Sequence, residues 1–104
     1  MNILTDETFE EFITKADKPV LLDIFAQWCP PCKMLGPVIE KIAEDYKDKI
    51  IVAKMDLDAC PETGQKFSVE VIPTVFLFKN NEVIDKFVGF MPEEEIKSWL
   101  NKLI

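Results

Sequence analysis

The chain has 104 residues, a formal net charge of −7 and an apolar fraction of 48%; this is the length of one globular domain with its own core, expected over 1–104. No apolar stretch approaches the roughly 18 residues of a membrane span, and the acidic balance argues against nucleic acid and anionic membrane as partners. Met1 to Lys18 is acidic and amphipathic, without the basic and apolar regions of a secretory leader, which predicts a soluble, reducing, cytoplasmic setting.

Asn2 to Leu4 reads as a short strand. Thr5 then caps a first helix with Asp6 and Glu7 in its first turn and Phe9, Phe12 and Ile13 at helical spacing. From Val20 to Ala26 nearly every position is apolar, as in a strand covered on both faces, and Asp23 is the exception. A second helix enters at Cys29 and continues through Leu35, Val38, Ile39, Ile42 and Tyr46; Pro37 lies inside it, and its missing N–H and ring clash predict a kink. Ile50 to Met55 reads as a second buried strand and Pro61 to Phe67 as a short helix or helical turn. Thr74 to Lys79 and Val83 to Val88 are joined by Asn80 and Asn81, a residue type that tolerates the positive φ of a type I′ turn, which predicts an antiparallel hairpin. Pro92 starts a last helix in which Glu93, Glu94 and Glu95 complement the dipole, while Ile96, Trp99, Leu100 and Leu103 form its buried stripe. The resulting order, βαβαβαββα, is an α/β pattern.

Trp28-Cys29-Pro30-Pro31-Cys32-Lys33 puts two thiols three residues apart directly after a buried strand, the layout of a dithiol redox centre. With Cys29 as N-cap, Cys32 falls at the third helical position, within reach of a disulfide, and the positive end of the helix dipole favours the Cys29 thiolate. Zinc sites use the same spacing, but with no His and only Cys60 to spare a closed four-ligand site would have to borrow a carboxylate, so no metal is expected. Neither Pro30 nor Pro31 has an N–H to offer the Cys29 sulfur, which makes the Cys32 amide the expected donor.

The chain resembles a thioredoxin along essentially all of its length. The residues that carry the resemblance are Asp23 before the site, Trp28 with the Cys pair, Lys33, Pro37 in the helix, Lys54 in the next strand, Ile72-Pro73-Thr74 before the hairpin and Gly89 after it. It implies the thioredoxin fold, a central five-stranded mixed sheet flanked by four helices, with a cis peptide before Pro73. It also implies thiol–disulfide exchange with disulfide-containing proteins, a Cys29/Cys32 disulfide in place of a bound cofactor, recharging by a thioredoxin reductase, and a monomer. Trp28, Pro31, Ile72, Pro73 and Gly89 would form an apolar rim where substrate strands dock beside Ile72.

Within that frame Cys29 is the nucleophile and the more interior Cys32 resolves the mixed disulfide. Cys32 must lose a proton, and Asp23, desolvated in an apolar strand, is the candidate acceptor. The alternative for Asp23 is a buried ion pair with Lys54 that only fixes packing, and both can hold. Several positions depart from the family's habit. Pro30 stands where Gly is usual and, with Pro31, stiffens the loop and tunes the potential in a direction the sequence leaves open. Phe25 stands where a second Trp is frequent, Val71 and Asn81 where Gly is frequent, and Phe90 where a small residue is frequent, so that Phe90 either enlarges or obstructs the docking surface. Cys60, in a loop before Pro61, reads as a spectator thiol; a regulatory or dimer-forming role requires exposure and a lowered pKa. The competing functions are an oxidase or isomerase of the same fold, whose sites usually hold a His between the cysteines, and a module that grips a partner without using its thiols.

Overall fold

The computed structural model describes residues 1–104. The elements, in chain order, are β1 (Asn2–Ile3), α1 (Asp6–Lys15), β2 (Val20–Phe25), α2 (Pro30–Asp45), β3 (Ile51–Asp56), α3 (Pro61–Lys66), β4 (Thr74–Lys79), β5 (Glu82–Val88) and α4 (Glu93–Leu103). The five strands form one sheet in the order β1-β3-β2-β4-β5, parallel from β1 to β2 and antiparallel from β2 to β5. This is the mixed sheet with four helices that the family implies. Most boundaries shift by one residue. Leu4 and Ala26 are buried but lie just outside their ladders, and Pro92 caps α4 from outside instead of opening it.

Burial of β2 on both faces explains its continuous apolar run. Leu21 joins one core layer with Leu35, Ile39 and Ile42 of α2 and Ile96 and Leu100 of α4. Leu22 and Ile24 join the other, with Phe9 and Ile13 of α1 and Phe76 and Phe78 of β4. Asp23 shares the face of Leu21, so strand alternation turns it toward the layer that α2 covers. At the hairpin Asn80 and Asn81 have φ of 53° and 66°, the two positive values a type I′ turn requires.

Thr5 caps α1 as expected, its hydroxyl accepting from the Thr8 N–H while Thr8 Oγ1 accepts from the Thr5 N–H. The cap of α3 is a residue the sequence did not suggest. Cys60 gives no side-chain cap, and the Asp6 carboxylate reaches across instead, accepting from the Glu62 N–H at 3.1 Å, the Thr63 N–H at 2.9 Å and the Thr63 hydroxyl at 2.6 Å. Burial pushes the Asp6 pKa up, but the hydrogen bonds from Thr63 and Glu62 together outweigh it and hold the group below its usual range. Asp6→Ala is expected to lower stability by about 1 kcal/mol in urea unfolding near neutral pH. Because the folded-state pKa is depressed, that contribution is present above the ordinary carboxylate range and fades as pH falls through it.

Cys60 is buried, with Sγ 3.8 Å from the Leu4 carbonyl oxygen. Burial and then the Asp6 charge push its thiol pKa up. The exposure and lowered pKa that a regulatory cysteine needs are both missing, which leaves the spectator reading.

Candidate active site

The β2–α2 junction places the cysteine pair. Cys29 is the N-cap of α2, Pro30 and Pro31 fill the first two helical positions, where a missing N–H is harmless, and Cys32 is the third. The two are joined as a disulfide with a Cα separation of 5.2 Å, inside the ordinary range. The Cys32 N–H donates to Cys29 Sγ at 3.3 Å, the donor that the two prolines leave available. Cys32 is not the more interior of the two: Cys29 is 3% exposed and Cys32 6%. Ala26, Phe25 and Ile72 pack against the pair, and the Ile72 carbonyl oxygen stands 3.7 Å from Cys29 Sγ, so the Ile72–Pro73 loop covers the first cysteine as fully as the helix covers the second.

Asp23 is 1% exposed and its Oδ1 has no hydrogen-bond partner. Desolvation pushes its pKa up to about 6, against the opposing pull of the Lys54 charge. Lys54 lies directly across from Asp23 in the β2–β3 register, but the expected ion pair is not formed. The ammonium sits instead over the Phe25 ring, 4.8 Å from its centroid.

The rim is built by two loops and a helix end. The Ile72–Pro73 peptide is cis. The Pro73 carbonyl accepts from the Gly89 N–H at 2.8 Å, which ties the β5 end to the Ile72–Pro73 loop. Gly89 has φ +86°, a conformation open to glycine at little cost. Thr74 Oγ1 donates to the Val71 carbonyl at 2.5 Å and pins the other side of the loop. Trp28 is 65% exposed and Phe90 41%, Pro31 is exposed and Ile72 half-buried. Pro73, expected in the rim, is buried beneath it. Trp28 is not held by packing alone: its Nε1–H donates to Asp58 Oδ2 at 2.7 Å, and the Asp58 N–H donates to Asp56 Oδ1 at 2.9 Å. Sequence reasoning missed both aspartates, although an Asp-x-Asp run at the end of a strand next to the site was the available signal.

The thioredoxin family model matches residues 1–102. The chain belongs to the thioredoxin family. It is 46% identical over 101 residues to a thioredoxin of Rickettsia bellii (strain RML369-C), covering 97% of this chain and 96% of the relative. It is 39% identical over 104 residues to a thioredoxin of Rickettsia prowazekii (strain Madrid E), covering 100% and 99%. A thioredoxin of Alicyclobacillus acidocaldarius is 43% identical over 97 residues, covering 93% and 91%. As a thioredoxin, the chain is a thiol–disulfide oxidoreductase, a protein-disulfide reductase and electron carrier whose reversible dithiol–disulfide exchange runs at Cys29 and Cys32. Its redox group is this disulfide and not a bound cofactor. Membership of the thioredoxin family implies a reductase and disulfide-containing proteins as general partners. No helix is long and apolar enough to cross a membrane, and no cluster of three or more His, Cys, Asp or Glu is placed to hold a metal.

Proposed function

We propose that the reductase cycle divides its labour as follows. In the dithiol form the Cys29 thiolate attacks one sulfur of a substrate disulfide; the substrate S–S bond breaks, a substrate thiolate leaves, and a mixed disulfide forms on Cys29. Cys32 then gives its proton to the Asp23 carboxylate and attacks Cys29 Sγ, which releases the second substrate thiolate. Two electrons have passed to the substrate, and the chain is left as the Cys29–Cys32 disulfide. The observation that supports this order is the environment of the Cys29 sulfur, which sits at the positive end of α2 and accepts the Cys32 N–H and is therefore the sulfur whose negative charge is stabilised. Asp23 is the one buried carboxylate, and its raised pKa suits it to hold a proton briefly near neutral pH.

Trp28, Pro31, Ile72, Gly89 and Phe90 receive the substrate over Pro73, and Pro30 and Pro31 set the stiffness of the loop and with it the potential. Phe90 enlarges this surface, because its half-open ring directly follows the glycine tied to Pro73. Phe90→Ala is expected to raise KM for a protein disulfide about 5-fold with little change in kcat, the signature of lost binding shared by ground and transition states. A single domain working as a cytoplasmic monomer, recharged by a thioredoxin reductase, completes the reading. The deciding comparison is a Cys29→Ser, Cys32→Ser double variant. A reductase loses all partner function with it, whereas a partner-gripping module keeps it.

A further inference from the structure

Asp23, Phe25 and Lys54 share one face of the sheet. Alternation along β2 puts Leu21, Asp23 and Phe25 on the side that α2 covers, and the register sets Lys54 directly beside Asp23. A lysine so placed next to a buried carboxylate oxygen without a partner has an ion pair within its reach and does not make it. The ion pairs of the chain all lie elsewhere. The ammonium is held instead over the Phe25 ring, 4.8 Å from the centroid, with Gly36 of α2 alongside, where an added Cβ would stand 3.9 Å from Nζ. The negative face of an aromatic ring attracts a cation at this range.

We propose that Phe25 is a positioning residue for the proton transfer: its ring holds the Lys54 ammonium away from Asp23 and so leaves the carboxyl free to take up and release a proton. The proposal rests on the reading of Asp23 as the proton acceptor for Cys32. An ammonium paired with the carboxylate would hold it ionised and make it a weaker base toward a thiol. No other charge competes with Lys54. The register neighbour of Asp23 on β4 is Val75, the buried α2 residues Cys32, Leu35 and Ile39 and the buried α4 residues Ile96 and Leu100 carry no formal charge, and Lys54 is the one charged group whose field reaches Asp23.

The test is the titration of the Asp23 carboxyl, followed by carbon NMR in the oxidised protein, for the parent, Phe25→Leu, Lys54→Met and the double variant. Phe25→Leu is expected to move the midpoint to lower pH by about half a unit, as the released ammonium turns to the carboxylate. The same substitution in the Lys54→Met background is expected to move it little, and Phe25→Trp, which restores a cation-binding ring, to keep the parent midpoint. Phe25→Met gives the same comparison if the leucine variant does not fold. An equal shift in both backgrounds, a shift to higher pH, or no shift overturns the proposal. Because the carboxyl is observed directly, this outcome is separate from whether Asp23 serves Cys32, which the kinetics of Asp23→Asn decide.

Discussion

Cys32→Ser is expected to stall with a substrate chain disulfide-bonded to Cys29, while Cys29→Ser forms no adduct. Both variants should lose at least about 10³-fold in turnover, since each removes a sulfur that a complete cycle requires. The asymmetry follows from the end of α2. Serine at position 32 keeps the backbone N–H that the Cys29 sulfur accepts and leaves the helix N-terminus intact, so the first attack survives and only the second thiol is gone. Serine at position 29 removes the one sulfur that the helix end stabilises. Exposure does not rank the two, at 3% and 6%, so the assignment depends on this electrostatic difference. Mass spectrometry of each variant after reaction with a protein disulfide separates the cases: an adduct on Cys32 in Cys29→Ser would reverse the roles.

Asp23→Asn is expected to make the protein more stable and slower, the stability gain appearing only as pH rises. The folded-state pKa of Asp23 is about 6 against an ordinary 3.8. Below the lower value the carboxyl is neutral folded or unfolded, and its ionisation costs nothing. Between the two values the unfolded chain ionises more readily, and above about 6 the folded state carries the whole difference, about 3 kcal/mol for a separation of this size. Asparagine has nothing to ionise and escapes that cost. Urea unfolding should therefore show Asp23→Asn ahead by about 3 kcal/mol well above pH 6 and level with the parent below the ordinary carboxylate range. In the same variant, resolution of a preformed mixed disulfide should slow while the first attack is nearly unchanged. A stability advantage independent of pH would contradict the burial argument, and unchanged resolution would remove Asp23 from the mechanism. Destabilisation retained at a working group is the usual trade of stability for activity.

Local signals sufficed for most of the fold. The apolar run around Asp23, the amphipathic helices and the Asn80-Asn81 turn each carry a pattern tied to one conformation, and the Cys pair at a strand–helix junction carries its chemistry in its spacing. Contacts across the chain were not legible. Nothing near Asp6 in sequence indicates that it caps a helix 56 residues away, and Cys60 gives no sign that it packs into the core beside Leu4. The cis peptide at Pro73 came from resemblance alone, because an X-Pro bond is cis in only about 5–6% of cases. Lys54 shows the limit most clearly. Register alone puts it beside Asp23, but a long side chain chooses between partners, and the competing partner, the Phe25 ring, lies on the neighbouring strand on the same face. For the Trp28–Asp58 bond the Asp56-Leu57-Asp58 run marked the acceptor, but its pairing with an indole 30 residues earlier was not legible.

Whether this chain works as a reductant is decided by the equilibrium redox midpoint of the Cys29/Cys32 pair, titrated against a buffered dithiol at neutral pH. A value near about −270 mV is predicted, low enough for the dithiol to reduce protein disulfides in a reducing compartment. A value near about −180 mV or above would contradict that role and assign the same two cysteines to oxidase or isomerase work.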